Sequence, residues 1–251
     1  MQSSNENVLS FTETTEQISS NSLNPKKNAH FQIKRVFVFI IITLIDLLLF
    51  FQRACPTVVT DELSKAYNVP VSKLGIFTSM FYYPYALFQP FAGLLSDVME
   101  PSYILCFSTL LAAVGDLICG FSKSLIVGCI GRLLVGIGCG PIYSPCNRII
   151  LNWFPLKHYS KFLGLFLFLA GCGGILAQTP LTLLSHLIGW RWCFFIIAIV
   201  SILSSVLSLC FVRGNPVVYG YPAINESLST NVNDSSLKQK LNQLIKNMKT
   251  I

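Results

Sequence analysis

Apolar residues run along this chain in blocks far longer than a soluble helix or strand needs. From Val36 the sequence is almost unbroken aliphatic and aromatic side chains, and comparable blocks recur between short polar connections as far as Val212. A helix rises about 1.5 Å per residue and the hydrocarbon core of a bilayer is about 30 Å thick, so about 20 mainly apolar residues are enough to cross it. Six stretches reach that length: 36–58, 73–96, 103–120, 125–147, 162–185 and 192–212. The pattern predicts an all-α membrane protein whose six transmembrane helices occupy residues 34–213.

The flanks read differently. Residues 1–33 are rich in Ser, Asn, Thr, Glu and Gln, too polar to offset the entropy of ordering, and are expected to form a disordered cytosolic tail. The first apolar block lies too far from Met1 and is too long for a cleaved leader, so it reads as an uncleaved signal anchor. Residues 214–251 open with Asn215, Pro216 and Gly220 and close with Leu237, Leu241, Leu244, Ile245 and Met248 at helical spacing among lysines. This second cytosolic tail reads either as an amphipathic helix lying on a membrane or protein surface or as a marginal, partly helical segment.

Composition and charge narrow the function. Of 251 residues, 53% are hydrophobic and only 12% charged, more apolar surface than one soluble domain can bury. The net charge of +7 comes from bases scattered over loops and helix ends, without the aromatic-interleaved patch of a nucleic-acid surface. Lys26, Lys27, Lys34, Arg35, Arg148, Lys157, Lys161 and Arg213 fall on one side of the predicted bilayer, against Lys65, Lys123 and Arg191 on the other. That bias predicts a multi-pass protein with both termini in the cytosol. The sequons at Asn225 and Asn233 would then stay unglycosylated. The nine cysteines lie in or beside apolar stretches without a CxxC pair and read as small, buried and reduced. Histidines 30, 158 and 186 are far apart and no nucleophile, metal or phosphate-loop pattern occurs, so neither an enzyme nor a cofactor or metal site is expected.

Charges at membrane depth are expensive and usually face a protein interior or a water-filled path. Four stand out: Asp46, Arg53, Asp116 and Arg132. Asp46 and Arg53 share one face of the first helix about 10 Å apart along its axis, too far to pair directly. Arg53 either presents a planar fork of donors to a carboxylate or phosphate or snorkels toward headgroups. Asp116 and Arg132 lie at matching depth on consecutive antiparallel helices, where they line a solute path or form a structural ion pair. On the fourth helix Arg132, Gly136, Tyr143 and Asn147 fall on one face, with Gly136 and Gly140 spaced for close helix packing. Tyr82, Tyr83, Tyr85 and Gln89, around Pro84 and Pro90, line a pathway or serve aromatic packing.

Several motifs carry a family resemblance. The turn Gly93-Leu-Leu-Ser-Asp97 resembles the signature loop of the major facilitator superfamily, whose members pair two six-helix halves. The run from Gly131 and Arg132 through Gly136, Gly138 and Gly140 to Pro141 resembles that family's fourth helix. Asn152-Trp-Phe-Pro155, Gly173-Gly174 with Ala177 and Pro180, and Gly189-Trp-Arg-Trp192 follow in the family's order, over about residues 34–213.

The resemblance implies a gate at Gly93 and Asp97, with Arg148 as partner of Asp97. It also implies that Arg53 resembles a first-helix arginine used for substrate charge. The chain departs from the family's loop at Val98, Glu100, Ser102 and Tyr103, and it carries Ala177 and Gln178 where the antiporter signature has Gly-Pro, so antiport is not read from it.

The expectation is thus an N-terminal-type half of a secondary transporter in a lipid bilayer, moving a small anionic organic solute by alternating access. Arg53, Arg132 and Tyr143 would bind the solute, Asp46 or Asp116 would exchange a proton, and Gly93, Asp97 and Arg148 would gate. A homodimer or a second transporter half would complete the path. The rival reading is a truncated, non-transporting membrane protein that associates with a full-length transporter or another partner.

Overall fold

The structure, a computed structural model, describes residues 25–216; the side chains of residues 25–29 and of Asp97 are outside what it describes. Every regular element among these residues is helical: α1 (Pro25–Val58), α2 (Thr60–Tyr67), α3 (Val71–Val98), α4 (Pro101–Phe121), α5 (Leu125–Cys139), α6 (Tyr143–Trp153), α7 (Leu156–Ile188) and α8 (Trp190–Phe211). Two units divide the chain, Met1–Val38 and Phe39–Ile251. In the first, the described residues are the opening turns of α1; the second carries all that follows. The tail residues 237–251 and the sequons at Asn225 and Asn233 lie outside the described residues.

The predicted apolar stretches are helical except at residues 140–142 and at Val212, and among the described residues α4, α5 with α6, α7 and α8 are the helices long and apolar enough to cross a membrane by length and composition. Three details differ from the sequence reading. α1 begins at Pro25 instead of Val36, so residues 25–33 are helical; a first-turn proline has no intrahelical donor to lose, and Lys, Ala and Gln propagate the helix behind it. A short helix, α2, follows α1 almost directly and ends at Asn68, whose left-handed φ of 53° turns the chain toward Pro70. The fourth predicted span is two helices, because Pro141 cannot donate to the preceding turn and Gly140 lowers the cost of interrupting it.

Close approach around α4 builds the bundle. A Cβ on Gly115 would lie 2.7 Å from the Gly131 carbonyl, and one on Gly138 would lie 2.6 Å from the Ser108 carbonyl, so α4 and α5 touch backbone to backbone. α8 packs on the other side of α4 through buried Ser201, Ser204, Ser205 and Ser208, with Ser205 Oγ donating to the Cys106 carbonyl at 2.9 Å. Small residues let helices approach where lipid offers no hydrophobic drive. Where α7 turns into α8, Gly189 takes φ 93°, a conformation that L side chains resist.

Two aromatic groups close the ends of the bundle. At the end where α1 leaves, Tyr67 meets Trp190 edge to face at 5.9 Å and shares a short hydrogen bond with Ser122. At the other, Phe39, Phe154 and Phe162 cluster, the latter two with centroids 3.8 Å apart. All nine cysteines are free and Cys55, Cys119, Cys139, Cys146 and Cys193 are buried, but Cys210 is exposed, contrary to the expectation that all would be interior.

Candidate functional site

The charged residues predicted at membrane depth separate into two groups. The first is a closed polar knot between α1, α4, α5 and α8. Arg132 pairs with Asp116 at 3.1 Å, with side-chain exposures of 1% and 0%. The second guanidinium nitrogen of Arg132 donates to the Gln52 carbonyl at 2.9 Å, and the Gln52 amide donates to the other Asp116 oxygen at 2.9 Å and to Ser201 at 3.1 Å. Cys139 completes the set by donating to Gln52 Oε1 at 2.9 Å. Phe77 and Phe194 cover the guanidinium, with centroids 5.6 and 5.0 Å away. Arg132 therefore presents no surface to a solute in this conformation. It holds the backbone of the residue that precedes Arg53.

The second group is open. Arg53 is half-buried and makes no ion pair or hydrogen bond among the described residues. Its guanidinium carbon lies instead 5.8 Å from the Phe50 ring centroid and 5.4 Å from those of Tyr82 and Tyr85. Asp46 is 5% exposed, makes no hydrogen bond or ion pair among the described residues, and lies within Coulombic range of Arg53 and Tyr143. Tyr143 is 37% exposed. α1, α3 and α6 thus bring together a guanidinium, a carboxylate and three tyrosines.

The residues expected to share one face of the fourth span, Arg132, Gly136, Tyr143 and Asn147, meet different neighbours: Arg132 bonds to α1 and α4, a Cβ on Gly136 would lie 2.7 Å from Pro84 Cγ, and Asn147 accepts a short hydrogen bond from Tyr159. Gly136 and Gly140 do serve close packing, both against α3.

Residues 93–97, expected as a turn, are instead the last turns of α3 leading into the α3–α4 turn; Gly93 has open space around it and Arg148 donates to the Ser96 carbonyl. The Asp97 side chain lies outside the described residues, and its expected partnership with Arg148 lies there too. Next to this turn is an arrangement that the sequence reading missed. Glu100 accepts from the Gly214 amide at 2.6 Å, Asn152 donates to the Gly214 carbonyl at 2.7 Å, and Trp153 donates to the Arg213 carbonyl at 2.8 Å. A Cβ at position 214 would lie 2.5 Å from Pro101 Cδ.

The chain is 27% identical over 149 residues to the Probable sulfoacetate transporter SauU of Cupriavidus necator, covering 59% of this chain and 35% of that one. It is 23% identical over 198 residues to the Hexuronate transporter of Bacillus subtilis, covering 76% and 46%. With the Vacuolar basic amino acid transporter 2 of Saccharomyces cerevisiae it shares 32% identity over 120 residues, covering 48% and 25%. The chain thus spans less than half the length of each of these relatives. Its fold matches the crystal structure of a bacterial homolog to the human lysosomal transporter Spinster, inward-facing and unoccupied, with a TM-score of 0.65 at 23% identity over 73% of this chain and 44% of that one. The profile of the Major Facilitator Superfamily matches residues 40–247, and this multi-pass membrane protein belongs to that superfamily.

Proposed function

We propose that the chain forms one half of a secondary transporter that moves a small organic anion by alternating access. In this reading α1, α3, α4, α5 with α6, α7 and α8 make six membrane crossings with both termini in the cytosol. The observation that carries it is Arg53, a cation at membrane depth that forms no ion pair among the described residues and is ringed by Phe50, Tyr82 and Tyr85. Retaining its charge, it can meet a carboxylate, sulfonate or phosphate with a planar fork of donors. Relatives named for sulfoacetate, hexuronate and hexose phosphate support an anion. The relative named for basic amino acids means that family membership by itself does not decide the solute.

Each group then has a role. Arg53 takes the solute's charge, and Tyr143, on the Asp46 side of the group, adds a hydroxyl. Asp46, which makes no hydrogen bond or ion pair among the described residues, exchanges the coupling proton, while Asp116 stays committed to Arg132. Arg132 acts through the Gln52 backbone and not on the solute. Gly93, Asp97 and Arg148 gate the cytosolic end. The chain covers 35% and 46% of the sulfoacetate and hexuronate relatives, and in this reading a second half supplies the opposing wall of the path, a homodimer or a partner chain being the arrangements to test. The competing reading is a non-transporting protein that associates with a full-length transporter.

The test is uptake of labelled sulfoacetate and glucuronate into liposomes carrying the full chain with whatever partner copurifies. Saturable flux that Arg53→Ala abolishes, with membrane insertion intact, supports transport. Partner association without flux selects the competing reading.

A further inference from the structure

An arginine at membrane depth is normally held by an acid, as Arg132 is by Asp116. Arg53 forms no such pair among the described residues: Asp46 stands within Coulombic range without bonding to it, and the nearest groups that flank it are the rings of Phe50, Tyr82 and Tyr85. The electron-rich ring faces attract a cation and fix its position, yet they carry no formal charge and cannot cancel it. No described residue takes a hydrogen bond from the Arg53 guanidinium, so its N–H groups remain available to a carboxylate, which they meet in the bidentate geometry.

The rings are themselves braced. Tyr85 stacks on Phe81 at 5.4 Å and 18°, and Tyr82 meets the same ring edge to face at 5.2 Å and 89°. Phe81 is 2% exposed, so this support is anchored in the interior. Its backbone carbonyl and Pro84 lie against Gly136 of α5 so closely that a methyl group there would force α3 away. The distance between α5 and α3 therefore determines where the two tyrosines stand.

We infer that Tyr82 and Tyr85 are positioning residues for Arg53, fixing its guanidinium by ring contact without neutralising it, and that Gly136 sets the depth at which those rings stand. This rests on the reading of Arg53 as the anion-binding group. The hydroxyls are dispensable and the rings are not.

The experiment follows the reaction of phenylglyoxal with individual arginines, read by peptide mass spectrometry on the full chain in lipid nanodiscs, with and without sulfoacetate. Y82F/Y85F should modify Arg53 at the wild-type rate, whereas Y82L/Y85L and G136A should change that rate by about threefold or more. Arg132, buried in its knot, should stay unreactive throughout and so reports an intact fold; if it becomes reactive in the double leucine variant, the single Y82L and Y85L variants decide. Equal Arg53 rates in the leucine and phenylalanine variants would overturn the clamp. Sulfoacetate should protect Arg53, at about tenfold higher concentration in the leucine variant. A rate change without protection by sulfoacetate or glucuronate supports the clamp and overturns the anion reading alone.

Discussion

Arg132 and Asp116 meet at 3.1 Å with almost no exposed surface between them, and the remaining carboxylate oxygen is taken by Gln52. Removing one partner strands the other, so Arg132→Met alone should cost about 3–5 kcal/mol, while Arg132→Met with Asp116→Leu should recover most of that loss. Thermal unfolding in detergent, followed by fluorescence of Trp153 and Trp190, measures both. A single variant as stable as the double would mean that the knot does not carry the ion-pair energetics described.

Arg53 has the opposite profile. With no ion pair to break among the described residues, Arg53→Ala should change stability by no more than about 1 kcal/mol. The rise in melting temperature that a bound anion confers should vanish with it. Differential scanning fluorimetry with sulfoacetate and glucuronate reads both quantities, and an Arg53→Ala protein stabilised as strongly as wild type would remove Arg53 from the site.

Asp46 makes no hydrogen bond or ion pair among the described residues and is the proposed coupling acid. Asp46→Asn should leave uptake driven by the solute gradient in place but make it insensitive to an imposed proton gradient. Liposome uptake with and without an inward pH gradient separates the two. A variant that still accelerates with the gradient would exclude Asp46 as the coupling group.

The glycines divide by what surrounds them. Gly115→Ala and Gly138→Ala insert a methyl into backbone on the facing helix and should destabilise by about 1–3 kcal/mol. Gly75, Gly93, Gly164 and Gly171 have open space, and alanine there should be neutral or stabilising by up to about 1 kcal/mol. Gly93→Ala is the informative member, since a stable protein with slowed flux would separate gating from folding. An unfolded one would mean that the end of α3 is packed more tightly than this conformation indicates.

Segment length made the helices readable in the sequence, because a run such as Val36–Phe51 has no soluble alternative. The Asp116–Arg132 contact was readable too, since a tight turn between antiparallel helices fixes relative depth. The separation of Arg132 from Arg53 was not. It depends on Gln52, an uncharged residue next to a more conspicuous arginine, and on Ser201, which looks unremarkable until Ser204, Ser205 and Ser208 are seen to continue its stripe. The break after Cys139 was written in Gly140-Pro141, but hydrophobic length runs straight through it. The rings on Arg53 depend on which way α3 is turned, and that is decided by Gly136 on another helix.

The stitch at Arg213 and Gly214 has a practical consequence. The direction in which the backbone leaves α8 is imposed by side chains at Glu100, Asn152 and Trp153, so the true edge of the folded unit lies past the last helical residue. A reporter or a second half fused immediately after Phe211 would cut those three bonds and loosen the α3–α4 turn. The same fusion made after Pro216 would keep them, and the fused body would inherit its orientation from that turn.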